Sequence, residues 1–129
     1  MKSINGLILK QMIISGANNL YNSYPEIDAL NVFPVPDGDT GTNMNLTISS
    51  GAKEVANRND DDVYTIAKSF SKGLLMGARG NSGVILSQIF KGFAVALENK
   101  VTISSVDFPF ITWSIIWSLV IPFSSWKRR

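Results

Sequence analysis

The apolar residues of this chain recur every three or four positions, the spacing that lines one face of an α-helix. The clearest stripe predicts a third helix and consists of Val63, Ile66, Ala67, Phe70 and Leu74. Asp60, Asp61 and Asp62 precede it, and their carboxylates suit the positive N-terminal end of a helix as a solvated cap. No segment before Val101 alternates apolar and polar residues as a strand does, so the predicted class is all-α.

Three weaker stripes predict helices on either side of this one. The first helix is predicted over about Ser3–Tyr21, with its first residue as the N-cap. The second is predicted over Thr42–Val55 and the fourth over Val84–Glu98. Pro34 and Pro36 exclude regular helix between the first and second helices and favour an extended backbone there.

The third and fourth helices are expected to pack against each other. The predicted contacts join one apolar face of each helix: Ile66, Phe70 and Leu74 on the third, and Ile85, Ile89 and Phe93 on the fourth. Phe90 and Leu97 make the other side of the fourth helix partly apolar, so we expect this side to need cover from elsewhere.

The composition changes near Lys100, because all glycines precede this residue and all three tryptophans follow it. Phe108–Trp126 contains no charged residue and is followed by Lys127–Arg129. Pro109 and Pro122 limit the uninterrupted helix here to about twelve residues, too short for a typical membrane span. Adhesion of this hydrophobic tail to a membrane is therefore an alternative that the sequence does not favour.

The composition excludes several classes of function. The chain has no cysteine and no histidine, so disulfides, zinc-finger ligation and imidazole catalysis are excluded for these residues. The positive and negative charges of residues 1–100 cancel, and there is no basic face for nucleic acid. The first residues mix Asn, Lys and Gln into their apolar positions and lack the apolar core of a secretory signal, which predicts a cytoplasmic protein.

The loop before the second helix combines carboxylates with small and hydroxyl residues. Asp37 and Asp39 flank Gly38, so both carboxylates can turn toward one hard cation such as Mg²⁺. The next four residues add side-chain oxygen atoms and backbone amides that could bind a phosphate at the start of the helix, namely Thr40, Gly41, Thr42 and Asn43. A calcium EF-hand is rejected, because the glycine and glutamate positions of that motif do not match. A turn capped by local aspartate hydrogen bonds remains the alternative.

A second glycine-rich loop, Gly77–Gly83, precedes the fourth helix. Its spacing matches neither a Walker loop nor a dinucleotide fingerprint. Its backbone amides and the hydroxyl of Ser82 can still bind an oxyanion, with Arg79 as the countercharge. The alternative is a tight turn that needs glycine for its geometry alone.

Two segments carry a resemblance to a known family: LNVFPVPDGDTGTNMNLT at Leu30–Thr47 and GARGNSGVILSQ at Gly77–Gln88. Together they resemble the N-terminal kinase domain of bacterial fatty-acid kinases, a member of the dihydroxyacetone-kinase L (DhaL) family. The resemblance implies an antiparallel helical barrel that binds ATP with magnesium ions. Asp37 and Asp39 would be magnesium ligands, and the phosphates would contact Thr40 to Asn43 together with Asn81 and Ser82.

The resemblance also implies a reaction and a partner. A separate fatty-acid-binding protein would present the fatty acid, and its phosphorylation would yield an acyl phosphate for phospholipid synthesis. No catalytic residue or general base can be named from the sequence, and a carboxylate acceptor would not need a base, because it is already deprotonated near pH 7. A glycerone (dihydroxyacetone) kinase, a non-catalytic fragment and a homodimer stay open as alternatives.

The sequence departs from the family in the metal ligands and in the tail. The family carries a third aspartate five residues before its D-G-D motif, where this chain has Val32. Residues 1–100 are therefore interpreted as a partial DhaL domain, the first half of the barrel, and 101–129 as a divergent tail of a truncated or frameshifted product. We expect weak nucleotide binding and little turnover from such a chain.

Overall fold

Helices form where the apolar stripes predict them, and the all-α class is confirmed. The computed structural model describes residues 3–31 and 37–120, so Pro34 and Pro36 lie outside the described residues. The helices of this part are α1 (Gly6–Leu30), α2 (Thr40–Ala56), α3 (Val63–Met76), α4 (Gly80–Ala96) and α5 (Phe108–Val120). Each packs on the helix before it, and α2 also contacts α4. None of these helices is long and apolar enough to cross a membrane.

The N-terminal end of α1 differs from the prediction. Asn5, rather than Ser3, is the N-cap, and its side-chain Oδ1 accepts a hydrogen bond from the amide of Ile8 at 2.9 Å. The next residue, Gly6, donates its amide to the carbonyl oxygen of Asp61 at 2.6 Å. A Cβ on Gly6 would lie within 2.8 Å of this connection before α3, so the close contact requires glycine there.

The C-terminal end of α1 also lies beyond the prediction. The helix continues past Tyr21 and through Pro25 to Leu30, although proline removes one helical hydrogen bond. The added turns pack on the start of α2, where a Cβ on Gly41 would collide with the carbonyl oxygen of Tyr24. We infer that this tertiary contact offsets the cost of the proline.

The helix α3 begins as predicted at the aspartate cluster. The carboxylate of Asp62 accepts hydrogen bonds from the amide and hydroxyl of Thr65 at 2.8 and 2.6 Å. These bonds lower the pKa of Asp62. The predicted stripe is buried along its whole length, namely Val63, Ile66, Ala67, Phe70 and Leu74.

The packing between α3 and α4 agrees only in part with the predicted contacts, because Phe93 packs against the core but Ile85 does not. Ile85 is 54% exposed, so its predicted contact is wrong. The ring of Phe90 instead meets the ring of Phe70 edge-on, with centroids 4.9 Å apart. Leu97, predicted to need cover from elsewhere, is fully buried. The inward face begins with small residues that allow close approach, and it consists of Gly83, Ser87, Phe90, Ala94 and Leu97.

The first part of the tail forms a further helix. Ser104 and Asp107 form a capping box before α5, and Asp107 also pairs with Lys100 at 2.7 Å. The helix then packs on α4 at Gly92, where a Cβ would lie 2.6 Å from the hydroxyl of Ser118. The structure describes 13 residues of this helix, up to Val120. Residues 121–129 lie outside the described residues.

A short antiparallel contact joins the beginning of the described chain to the segment after α4. Ile4 and Ile103 form an isolated bridge through two backbone hydrogen bonds of 2.8 and 2.9 Å. Beside it, the amide of Val63 donates to the carbonyl oxygen of Val101 at 3.0 Å. The bridge therefore holds the starts of α1 and α3 close to the segment that leads into α5.

Candidate functional site

The first glycine-rich loop turns sharply between its two aspartates. Gly38 has a φ of +65°, a conformation that side chains disfavour, and it separates Asp37 from Asp39. Both aspartates are exposed. Neither carboxylate makes a hydrogen bond or an ion pair within the part of the chain that the structure describes. The two groups therefore remain accessible to a ligand.

The first backbone amides of α2 donate hydrogen bonds to a side chain at the end of α1, and we call such a helix start closed. Oδ1 of Asn31 accepts hydrogen bonds from the amides of Asp39 and Thr40 at 3.1 and 3.2 Å. It also accepts one from the hydroxyl of Thr40 at 2.7 Å. The sequence-based expectation that the first amides of α2 are free for an anion is therefore wrong for these two groups.

A second side chain from α1 completes this closure. Asp28 accepts hydrogen bonds from the amide and the hydroxyl of Thr42 at 2.9 and 2.5 Å. These bonds, followed by a weaker one from the amide of Gly41, lower the pKa of the Asp28 carboxyl. Sequence reasoning missed this residue. The sequence contains no signal for it, because its place in the last turn of α1 depends on the continuation of that helix past Tyr21.

The second loop is shorter than predicted, because α4 already begins at Gly80. Asn81 and Ser82 therefore lie in the first turn of the helix rather than in the loop. Gly80 has a φ of +66°, and the amide of Gly83 donates to the carbonyl oxygen of Arg79 at 3.1 Å. The amides of Gly80, Asn81 and Ser82 find no acceptor among the described residues. We call this helix start open, because its first amides have no acceptor among the described residues, whereas those of α2 do.

The fold brings the two loops into direct contact. The hydroxyl of Ser82 donates to the carbonyl oxygen of Thr40 at 3.4 Å. Gly80 lies against the side chain of Asn43, so closely that a Cβ would come within 2.5 Å of its Nδ2. The predicted residues of the two loops, which are far apart in sequence, therefore form one site.

The side chain of Thr47 is fully buried and links the second loop to α2. Sequence reasoning missed this residue. Its hydroxyl accepts a hydrogen bond from the amide of Arg79 at 3.0 Å and donates to the carbonyl oxygen of Asn43 at 2.8 Å. Gly83 lies directly against this hydroxyl. A threonine on the inward face of α2 gives no sign in the sequence of what it bonds.

The exposed residues of the site lie apart from the two cavities that the structure shows between its described helices. The structure has a groove of about 510 Å³ between α3 and α4 and an apolar cavity of about 410 Å³ between α1, α2 and α4. None of the predicted site residues lines either one. The side chains of Asp37, Asp39, Arg79 and Asn81 are exposed around the joined loops.

The donor set fits a magnesium ion that is shared with a phosphate. The described residues contain no group of three acidic side chains that could hold a metal by themselves. Asp28 is engaged with Thr42, and the position of Val32, where the family has its third aspartate, lies outside the described residues. Magnesium is commonly bound by one or two carboxylates, several waters and the phosphates of a substrate. Asp37 and Asp39 supply this number of carboxylates.

Comparison with known proteins gives matches over most of the chain. The family model described as DAK2 domain matches residues 34–113. Protein YloV of Bacillus subtilis is 54% identical over 108 residues, which are 84% of this chain and 20% of that protein. An uncharacterized protein of Staphylococcus epidermidis is 57% identical over the same length and the same shares. An uncharacterized protein of Staphylococcus aureus is 57% identical over 105 residues, 81% of this chain and 19% of that protein. The chain thus spans about a fifth of the length of these curated relatives.

Proposed function

The chain belongs to the DAK2 domain family, and from that premise we propose that it forms the Mg²⁺–ATP-binding end of a DhaL-type kinase domain. The family expected from the two motifs is confirmed by this membership. The observation that carries the proposal is the contact between the two loops. Ser82 bonds to the backbone of Thr40, and Gly80 lies against Asn43, so two accessible carboxylates and an open helix start belong to one site.

The residues of this site divide into two groups. Asp37 and Asp39 would hold magnesium, which neutralises phosphate charge when it is bound. The open amides of α4, together with Asn81 and Ser82, would bind phosphate oxygens, because a helix N-terminus attracts anions. The exposed guanidinium of Arg79 would supply a countercharge.

The segment from Thr40 to Asn43 has a different role in this proposal. The amides of Thr40 and Thr42 are already bonded to α1, and that of Asn43 donates to the carbonyl oxygen of Asp39 at 2.9 Å. This segment would therefore contact phosphate less than α4 does. It would act mainly by fixing the position of Asp39 relative to α4, because phosphoryl transfer depends on the placement of its binding groups.

A carboxylate is the acceptor that we favour, and specifically a fatty acid presented by a separate fatty-acid-binding protein. A carboxylate needs no general base, since it is ionised near pH 7, and the chain contains no histidine that could act as one. Glycerone is the rival acceptor, and its hydroxyl must lose a proton on transfer. The P-V-P before D-G-D and the T-G-T-N after it also support the fatty-acid branch.

Nucleotide binding is tested by isothermal titration of the chain with Mg²⁺–ATP. We expect weak but saturable heats that disappear in Asp37→Ala/Asp39→Ala. The matched control is Asp60→Ala/Asp61→Ala, which removes the same charge from the connection before α3. Equal heats from the wild type and the first variant would show that the loop is only a turn.

The acceptor is tested by turnover. Acyl-phosphate formation from a loaded fatty-acid-binding protein is compared with phosphorylation of glycerone under the same conditions. A chimera with the family continuation in place of residues 101–129 is assayed in parallel. We expect acyl phosphate and no glycerone phosphate, with much lower turnover in the chain than in the chimera. Nucleotide binding with no turnover in either protein would favour the non-catalytic alternative.

A further inference from the structure

A continuous series of hydrogen bonds joins the two glycine-rich loops through the side chain of Thr47. The carbonyl oxygen of Asp39 accepts a hydrogen bond from the amide of Asn43 at 2.9 Å. The carbonyl oxygen of Asn43 accepts one from the hydroxyl of Thr47 at 2.8 Å, and that hydroxyl accepts one from the amide of Arg79 at 3.0 Å. A residue of the proposed magnesium site is therefore linked through one side chain to the residue that precedes α4.

The centre of this link requires a hydroxyl group. Arg79 offers a donor and Asn43 offers an acceptor, so the side chain between them must accept one hydrogen bond and donate another. The hydroxyl of Thr47 does both. Because this side chain is fully buried, removing its hydroxyl would leave the amide of Arg79 without its acceptor.

The start of α4 takes its position from this link. Arg79 is the N-cap of α4, and its side chain makes no capping hydrogen bond to the helix. Its backbone is instead bonded to α2 through Thr47. Gly83, in the first turn of α4, lies so close to Thr47 that a Cβ would collide with the hydroxyl oxygen. The open amides of Gly80–Ser82 lie between these two contacts, so their placement follows from α2.

We propose that Thr47 is a positioning residue, whose hydroxyl sets the placement of the open amides of α4 relative to the carboxylate of Asp39. This inference rests on the proposed function, in which one magnesium-bound phosphate contacts both groups. Thr47 itself is buried and does not touch the ligand. Groups that are fixed before the ligand arrives bind it more tightly, because little freedom is lost on binding. Without the hydroxyl, the start of α4 would be free to shift away from Asp39.

The test compares side chains that differ in the hydroxyl alone. Thr47→Val keeps the shape of threonine, and we expect its affinity for Mg²⁺–ATP, measured by isothermal titration, to fall about tenfold. Thr47→Ser keeps the hydroxyl and should bind nearly as tightly as the wild type. Thr47→Ala should show the loss again. The serine and alanine variants repeat the comparison in a smaller side chain and decide it if the valine variant does not fold.

A second measurement separates positioning from a general loss of stability. The nitrogen-15-labelled chain is titrated with Mg²⁺–ATP, and amide signals are followed by nuclear magnetic resonance. In the wild type, the signals of Asp39 and of Gly80–Ser82 should shift together along one binding curve. In Thr47→Val, we expect the signal of Asp39 to shift still and those of the α4 start to shift much less. A loss of stability alone would reduce both shifts equally.

The matched control is Ser118→Ala, which removes another buried hydroxyl that bonds to the backbone of a neighbouring helix. The hydroxyl of Ser118 donates to the carbonyl oxygen of Gln88 at 2.8 Å, in the contact between α4 and α5. This variant should bind Mg²⁺–ATP as the wild type does. An equal loss of affinity in Ser118→Ala and Thr47→Val would show that Thr47 acts through stability alone, and would overturn the proposal.

The remaining outcomes distinguish a failure of this inference from a failure of the proposed function. If the wild type does not bind Mg²⁺–ATP, the proposed function is wrong and the role of Thr47 is wrong with it. If the wild type binds and Thr47→Val binds equally well, only the role of Thr47 is wrong. An equal loss in Thr47→Ser and Thr47→Ala would also overturn that role, because the hydroxyl would then make no difference.

Discussion

The helices α2 and α4 both begin directly after a glycine-rich segment, yet their first turns are used in different ways. At α2, Asn31 and Asp28 of the preceding segment accept the hydrogen bonds of Asp39, Thr40 and Thr42. At α4, the first three amides have no acceptor among the described residues. The same local sequence chemistry thus gives one closed helix start and one open one.

The difference lies in what packs against each start. The long helix α1 ends beside α2, and two of its last polar side chains reach the amides there. The start of α4 instead lies on α2, which contributes the hydroxyl of Thr47 and the side chain of Asn43. Thr47 accepts from Arg79, one residue before the helix, and leaves the following amides open. We therefore expect mutations at α2 to change stability, and mutations at α4 to change ligand binding.

The largest effect is expected from Gly41→Ala. The new Cβ would collide with the carbonyl oxygen of Tyr24, a backbone atom that cannot rotate away. We expect a loss of about 2–3 kcal/mol in the free energy of unfolding, measured by urea denaturation. Gly16→Ala is the matched control, because nothing lies within 4 Å of its new Cβ. That variant should gain about 0.5–1 kcal/mol from helix propensity. Equal midpoints for the two variants would contradict the close contact of α1 and α2.

A smaller loss is expected from Asn31→Ala, which removes the acceptor for the first amides of α2. Lost N-caps typically cost about 0.5–2 kcal/mol, and three donors share this one oxygen, so we expect about 1–2 kcal/mol. The measurement is the same urea denaturation. A loss below about 0.5 kcal/mol, the range of ordinary surface substitutions, would show that water replaces Asn31 at no cost.

A pH-dependent effect is expected from Asp28. Its hydrogen bonds with Thr42 lower the folded-state pKa below 3.8, so the unfolded chain takes up the proton first as the pH falls. The stabilisation by Asp28 is therefore complete above this value and is lost as the pH falls through the folded-state pKa. We expect the melting temperatures of the wild type and Asp28→Asn to differ at pH 6, and we expect this difference to shrink as the pH falls below 3.8. A constant difference over this range would contradict the assignment.

The smallest effect on stability is expected from Asn81→Ala. The side chain is exposed in the first turn of α4, so we expect a change below about 0.5 kcal/mol in the free energy of unfolding. Its affinity for Mg²⁺–ATP should nevertheless fall about fivefold to tenfold, since one hydrogen bond contributes about 1 kcal/mol. Denaturation and isothermal titration of the same preparation check both parts. Unchanged affinity would remove Asn81 from the site.

Sequence reasoning was most successful where large apolar side chains mark a face. The stripe of α3 is buried as predicted, because residues such as Ile66 and Leu74 gain most by leaving water. The inward face of α4 was missed for the opposite reason. Gly83 and Ser87 are small and offer little apolar area, but they let α4 approach its neighbours, and the bulky Ile85 remains exposed.

The candidate site was predicted as a set of residues but not as an arrangement. The two glycine-rich loops could be found because their composition is unusual and each precedes a helix. Their contact, and the capping of α2 by Asn31 and Asp28, depend on where α1 ends. Pro25 made that end unpredictable, because a proline normally indicates a helix boundary and only tertiary packing carries α1 through it.

The bridge between Ile4 and Ile103 has a consequence for the order of folding. The two residues are separated by 103 − 4 = 99 positions, so their pairing closes a loop around α1 to α4. Closing so long a loop is entropically costly until the helices inside it have formed and docked. During synthesis the beginning of the chain must wait for residues 101–103 to leave the ribosome. We expect the amides of Ile4 and Ile103 to become protected from hydrogen exchange together, and later than those inside α3.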